Sequence, residues 1–124
     1  MSKERQKLVA QLDSLVSSIV RKRDKCCVIC GSYESLSVSH FVKRTPKLFR
    51  WDLRNCHLMC HKCHEEWELN ENTKYLQWMI YTYGANMPLD LHRESRTPHK
   101  WTTEELKIMK IDLELQQENL EYEE

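Results

Sequence analysis

Four of the six cysteines fall into two pairs: Cys27-x₂-Cys30 and, far downstream, Cys60-x₂-Cys63. Two such pairs supply four thiolates to one tetrahedral zinc ion. A four-thiolate site has no open coordination position. Its zinc therefore builds the fold and activates no water. A competing reading attaches to CHLMCHKCHEEW, Cys56 to Trp67. There Cys56, Cys60 and Cys63 alone have the C-x₃-C-x₂-C spacing of the iron–sulfur site in radical-SAM enzymes.

Length decides between the two. The chain has 124 residues, whereas such enzymes need most of a barrel of about 200 residues or more. A disulfide scaffold is the other use of six cysteines, and it belongs to secreted proteins with a signal peptide. The N-terminal stretch MSKERQKLVAQLDS is charged and has no long apolar run. No segment is apolar for long enough to span a membrane. The expectation is a cytoplasmic, reduced, zinc-binding protein. Cys56 then reads as a small buried apolar group, and Cys26 is given no role.

The elements that position the cysteines follow from periodicity. Leu8, Leu12, Leu15, Val16, Ile19 and Val20 recur at helical spacing over residues 3–23. Residues 36–42 alternate as a strand, and residues 56–59 form a second short one. Between them KRTPKLFRWDLRN is a basic loop broken by Pro46. A helix starts near His61, and another ends at Gly84 with Tyr75, Leu76, Met79, Ile80 and Tyr83 on one face. Residues 85–100 read mostly as loop with one helical turn. Thr102 and Glu105 form a capping box that opens a long acidic helix. Its Leu106, Met109, Leu113 and Leu120 either pack back onto the domain or pair two copies.

The predicted fold class is α+β: a small zinc-stabilised treble-clef core flanked by N- and C-terminal helices. One domain covers residues 1–124, with the N-terminal helix over 1–24, the knuckle core over 25–70 and a helical region over 71–124.

Charge divides the chain. Residues 1–55 hold 12 Lys/Arg against 5 Asp/Glu, and residues 56–124 hold 7 against 14. A basic front half suits a polyanion, nucleic acid above all. Lys43, Arg44, Lys47, Arg50 and Arg54 lie together between the two cysteine pairs, and Arg21, Lys22, Arg23 and Lys25 precede the first. No recognition helix stands out, so binding that follows DNA structure rather than sequence is expected.

Between the knuckles stand His40 and Asn55, and His64 directly follows the last cysteine. Singly, each is a packed histidine, a turn residue or a helix start. Together, at this spacing, they resemble the His-Asn-His set of the HNH, or ββα-metal, nucleases. The likeness is greater to the phage-lambda NinG (Rap) family, through Cys27-x₂-Cys30-Gly31, His40-Phe41, Arg44, Phe49-Arg50-Trp51-Asp52, Arg54-Asn55-x-His57 and Cys60-x₂-Cys63. It covers roughly residues 20–95.

The resemblance implies a metal-dependent endonuclease that cuts branched DNA such as Holliday junctions in phage recombination. His40 would be the general base, Asn55 would orient it, and His64 would bind a divalent ion, Mg²⁺ or Mn²⁺. Two-fold DNA geometry would suit a homodimer. The chain departs from the pattern at Ser39, where many HNH enzymes place a metal-binding Asp, and His57 is the candidate substitute ligand, with Asp52 a weaker one. A non-catalytic treble-clef module that binds nucleic acid or a partner is the alternative.

Overall fold

The computed structural model describes residues 2–43, 49–96 and 99–122. Helix α1, Lys3–Asp24, leads into the first cysteine pair. Strands β1, Leu36–His40, and β2, Cys56–Cys60, form an antiparallel pair, with a short 3₁₀ turn at Leu53–Asn55 before β2. Four helices follow: α2 over His61–Glu68, α3 over Lys74–Tyr83, α4 over Asn86–Glu94 and α5 over Thr103–Tyr122. The chain is thus α+β, a two-stranded sheet among helices. No helix among the described residues is long and apolar enough to cross a membrane.

The hairpin separates two apolar clusters. Its register pairs Leu36 with Cys60, Val38 with Leu58, Ser39 with His57 and His40 with Cys56. Successive side chains leave opposite faces of a strand. Val38, Cys56 and Leu58 therefore meet the apolar stripe of α1, made of Leu8, Leu12, Val16, Ile19 and Val20. Met59 faces the other way, into a cluster with Tyr75, Met79 and Leu91 from α3 and α4. A two-stranded hairpin is marginal by itself. Here helices cover both of its faces.

α5 packs on α1 through Leu106 and Leu113, with Met109 and Leu120 beside them, so the first alternative for this helix holds within the chain. The two helices run parallel. Lys107 pairs with Glu4 near one end (3.2 Å), and the Gln117 amide donates to Ser18 Oγ near the other (2.6 Å).

The capping box at the start of α5 is formed. The Glu105 N–H donates to Thr102 Oγ1 at 3.1 Å, and the Thr102 N–H donates to Glu105 Oε1 at 2.9 Å. Thr102→Ala leaves one N–H without its acceptor. It is expected to lower stability by about 1 kcal/mol, read as a shift of the urea midpoint at unchanged slope. An unmoved midpoint would show that the box contributes nothing.

One element differs from expectation. Residues 86–94 are helical, although Pro88 sits among them. Proline is tolerated in the first turn of a helix, where its missing N–H would have no intrahelical acceptor.

Candidate functional site

The first cysteine pair lies in the turn after α1. There the Gly31 N–H donates to the Cys27 carbonyl at 2.9 Å, and the Cys30 N–H points at Cys27 Sγ at 3.5 Å. Gly31 has φ +80, a conformation that side chains with a Cβ rarely adopt. The second pair is carried by the last residue of β2 and the first turn of α2. The ligand atoms of Cys27, Cys30, Cys60 and Cys63 all lie within 4.8 Å of one another, and the Cys30 and Cys60 sulfurs are 3.6 Å apart. Four sulfurs at about 2.3 Å from a tetrahedral zinc have edges of about 3.8 Å, so this set fits the ion.

Cys56 lies outside the set. It is fully buried on the α1 side of the hairpin, and burial pushes its thiol up to about 12. It stays a neutral, packed group. Cys26 is partly buried and also lies outside the four.

Asn55 is buried and ties together the two ends of the basic loop. Its Oδ1 accepts from the Val42 N–H (2.7 Å), and its Nδ2 donates to the carbonyls of Val42 (2.9 Å) and Phe49 (3.2 Å). His40 is held by the same loop: its Nε2 lies 2.9 Å from the Arg50 carbonyl. That contact requires the proton on Nε2 in the neutral ring and makes Nδ1 the basic atom. His40 lines a cleft of about 170 Å³ with Asp13, Ser17 and Arg50.

His64 stands on the other side of β1. Its Nδ1 meets Ser39 Oγ at 2.6 Å, with Ser37 Oγ at 3.5 Å, and its Nε2 lies 3.5 Å from Glu68 Oε1. Ser39 is wholly buried, while the His64 and Glu68 side chains are 31% and 43% exposed. Strand alternation thus sends the adjacent Ser39 and His40 to opposite faces.

The substitute-ligand expectation for His57 is corrected. His57 is fully buried. Its Nδ1 bonds Tyr75 OH at 2.7 Å, its Nε2 bonds Tyr83 OH at 3.0 Å, and Trp78 meets the ring edge-on. Both nitrogens are engaged by tyrosine hydroxyls inside the core. Burial, and secondarily the Arg23 cation, push its pKa down to about 3. Asp52 is likewise taken, by the Arg54 guanidinium at 2.6 Å and by the turn that it caps.

Two of the expected phosphate contacts change as well. Arg50 is held by Asp13 at 3.0 and 2.6 Å and lies over Trp51, so it fastens the loop to α1. Arg23 is turned inward to Asp24 and to the carbonyls of Leu53 and Cys56. Lys43 and Arg54 are exposed. Arg44 and Lys47 lie outside the described residues.

The family model described as Bacteriophage Lambda NinG protein matches residues 1–123. The chain belongs to the phage lambda NinG family. Protein ninG of Salmonella phage P22 is a relative of this NinG-family chain, 28% identical over 116 residues. The match covers 89% of the chain and 56% of the P22 protein, so the chain spans little more than half of that relative's length. No solved structure matches the NinG-family chain.

Glu68 is the site residue that sequence reading missed. The signal was present: Glu68 follows His64 by four residues, which places both on one face of a helix.

Proposed function

We propose that this NinG-family chain is a metal-dependent endonuclease that cuts branched DNA in phage recombination. It is built on a treble-clef frame held by a structural zinc. The observation that carries the reading is the half-exposed His64–Glu68 pair, fixed against Ser39 on the same hairpin that carries His40. One imidazole and one carboxylate suit Mn²⁺ or Mg²⁺, which complete their shells with water and phosphate oxygens. Such an ion, when bound, supplies charge neutralisation on the phosphate and stabilisation of the leaving oxygen.

The chain's own groups do the rest. His40, its Nε2–H held by the Arg50 carbonyl, takes the proton of the attacking water on Nδ1. Asn55 keeps that carbonyl in place by holding the loop at Val42 and Phe49. Lys43 and Arg54 contact the flanking phosphates. His40 on β1 and His64 on α2 stand on opposite sides of the strand, so the two would meet one phosphate only around the strand's end.

That same separation, together with Ser39 where a carboxylate is usual, favours a second reading: a module that binds nucleic acid without cutting it. A four-way junction incubated with Mg²⁺ or Mn²⁺ separates the two. Cleavage by the unaltered protein is expected. His40→Ala and His64→Ala should each lose on the order of 10²-fold in rate, with junction binding retained. If His40→Ala cuts as well as the unaltered protein, the catalytic assignment fails. If the unaltered protein binds but does not cut, the binding module replaces it.

A further inference from the structure

An open groove of about 500 Å³ runs between α2, α3 and α4. Phe41, Trp67, Leu76, Ile80, Leu89 and His92 are among its lining residues, and no carboxylate is. Ile80 and Leu89 are 42% and 50% exposed, so this apolar surface faces water. The Phe41 and Trp67 rings stack, with centroids 5.4 Å apart and planes 17° from parallel.

The groove adjoins the His64 site along two elements. Phe41 lies two residues beyond Ser39, on the same side of the extended chain, where its N–H donates to the Asn55 carbonyl at 2.9 Å. Trp67 lies three residues beyond His64 on α2. These separations correspond to roughly 7 Å along a strand and about 4.5 Å along a helix. They are comparable to the reach from the phosphate of one nucleotide to its base. Cationic groups stand at the far end, where Arg96 lies 3.4 Å from His92. The exposed Lys43 follows Phe41. An aromatic pair, an apolar lining without carboxylates and the cations Lys43 and Arg96 at its ends are the chemistry that holds an unstacked base of a single strand.

We infer that this groove seats one unpaired nucleobase of a branched DNA while the phosphate next to it lies at His64. Branch selectivity then arises from capture of a base that an intact duplex keeps stacked. The inference rests on the nucleic-acid reading above, and the test separates the two.

Ala85 lies at the groove wall and is exposed, so Ala85→Trp fills the groove without disturbing the core. Leu89→Glu instead places a carboxylate in it. Binding of a labelled four-way junction and of a linear duplex of the same length is measured by anisotropy, with no divalent salt added. Circular dichroism verifies that the variants are folded. Each folded variant should bind the junction on the order of tenfold more weakly and the duplex unchanged. A junction with abasic nucleotides at the branch should weaken binding of the unaltered protein equally and cost Ala85→Trp nothing further.

Folded variants that bind the junction as tightly as the unaltered protein overturn the inference and leave the nuclease reading standing. If they do so while shifting the protein from dimer to monomer in sedimentation, the groove is a protein interface and the inference is likewise overturned. An unaltered protein that binds neither DNA overturns both readings.

Discussion

Removal of the metal is expected to unfold the centre of the chain. Cys27 and Cys30 come from the turn after α1, and Cys60 and Cys63 from the junction of β2 and α2. No disulfide joins those segments, since all six cysteines are free. Structural zinc sites contribute apparent free energies on the order of 10 kcal/mol, as much as the whole stability of an ordinary domain. Chelation should therefore abolish the cooperative transition of the hairpin and α2, followed by near-ultraviolet circular dichroism. Cys63→Ser should do the same, while Cys26→Ser should bind zinc normally. Cys56→Ser should also retain the metal and lose only about 1–3 kcal/mol, for placing a hydroxyl in an apolar site. Metal analysis should find one zinc per chain. An iron–sulfur absorption band, or loss of metal on replacing Cys56 rather than Cys63, would sink the assignment.

Acid should act through His57. In the folded chain its pKa is about 3, against 6.5 for the free side chain. Burial is the main cause. Arg23 and His40 push in the same direction, and Asp24 opposes them. The two phenols that hold the ring are protonated throughout this range, and burial raises Tyr75 and Tyr83 further.

Well above pH 6.5 the ring is neutral in both folded and unfolded chains, and no pH dependence arises from it. As pH falls below 6.5 the unfolded chain takes up a proton that the folded chain refuses until about pH 3. Stability is lost through that window, by about 5 kcal/mol in all and about 2 kcal/mol between pH 7 and 5. Protonation of the thiolates also destabilises in acid, so the comparison is with His57→Gln, which keeps the zinc site and cannot titrate. Urea midpoints at matched zinc activity should fall further for the unaltered protein than for the variant. Parallel lines for the two would show that His57 plays no part.

Much of this was readable in residue order because the signals are local. The stripe of α1, the Thr102–Glu105 box and the paired cysteines each declare themselves within a few positions. α4 is legible only as one turn in a loop, because its nine residues are short and include Pro88, which a helix tolerates in its first turn. The larger gap concerns partners distant in the chain. Nothing near Arg50 announces Asp13, thirty-seven positions away, or tells Arg50 from the exposed Arg54. Likewise, the separation of His40 from His64 and the enclosure of His57 depend on which face of the hairpin meets α1. That is settled only when both strands and three helices are placed together.

The parallel pairing of α1 and α5 has a consequence for the order in which the protein can be made. Parallel neighbours need a connection that returns the length of the pair, and here that connection is the entire zinc core. During synthesis α1 emerges ahead of the cysteine-bearing core, yet Leu106 and Leu113 follow only after that core has been made. Until they leave the ribosome, part of the apolar stripe of α1 has no cover and is open to chaperones and to other nascent chains. The cysteine-bearing hairpin can fold on schedule and shield one side of α1 while the rest waits. A chain that stops before Leu106 would then keep the hairpin's cover on α1 and leave the opposite flank of its apolar stripe bare.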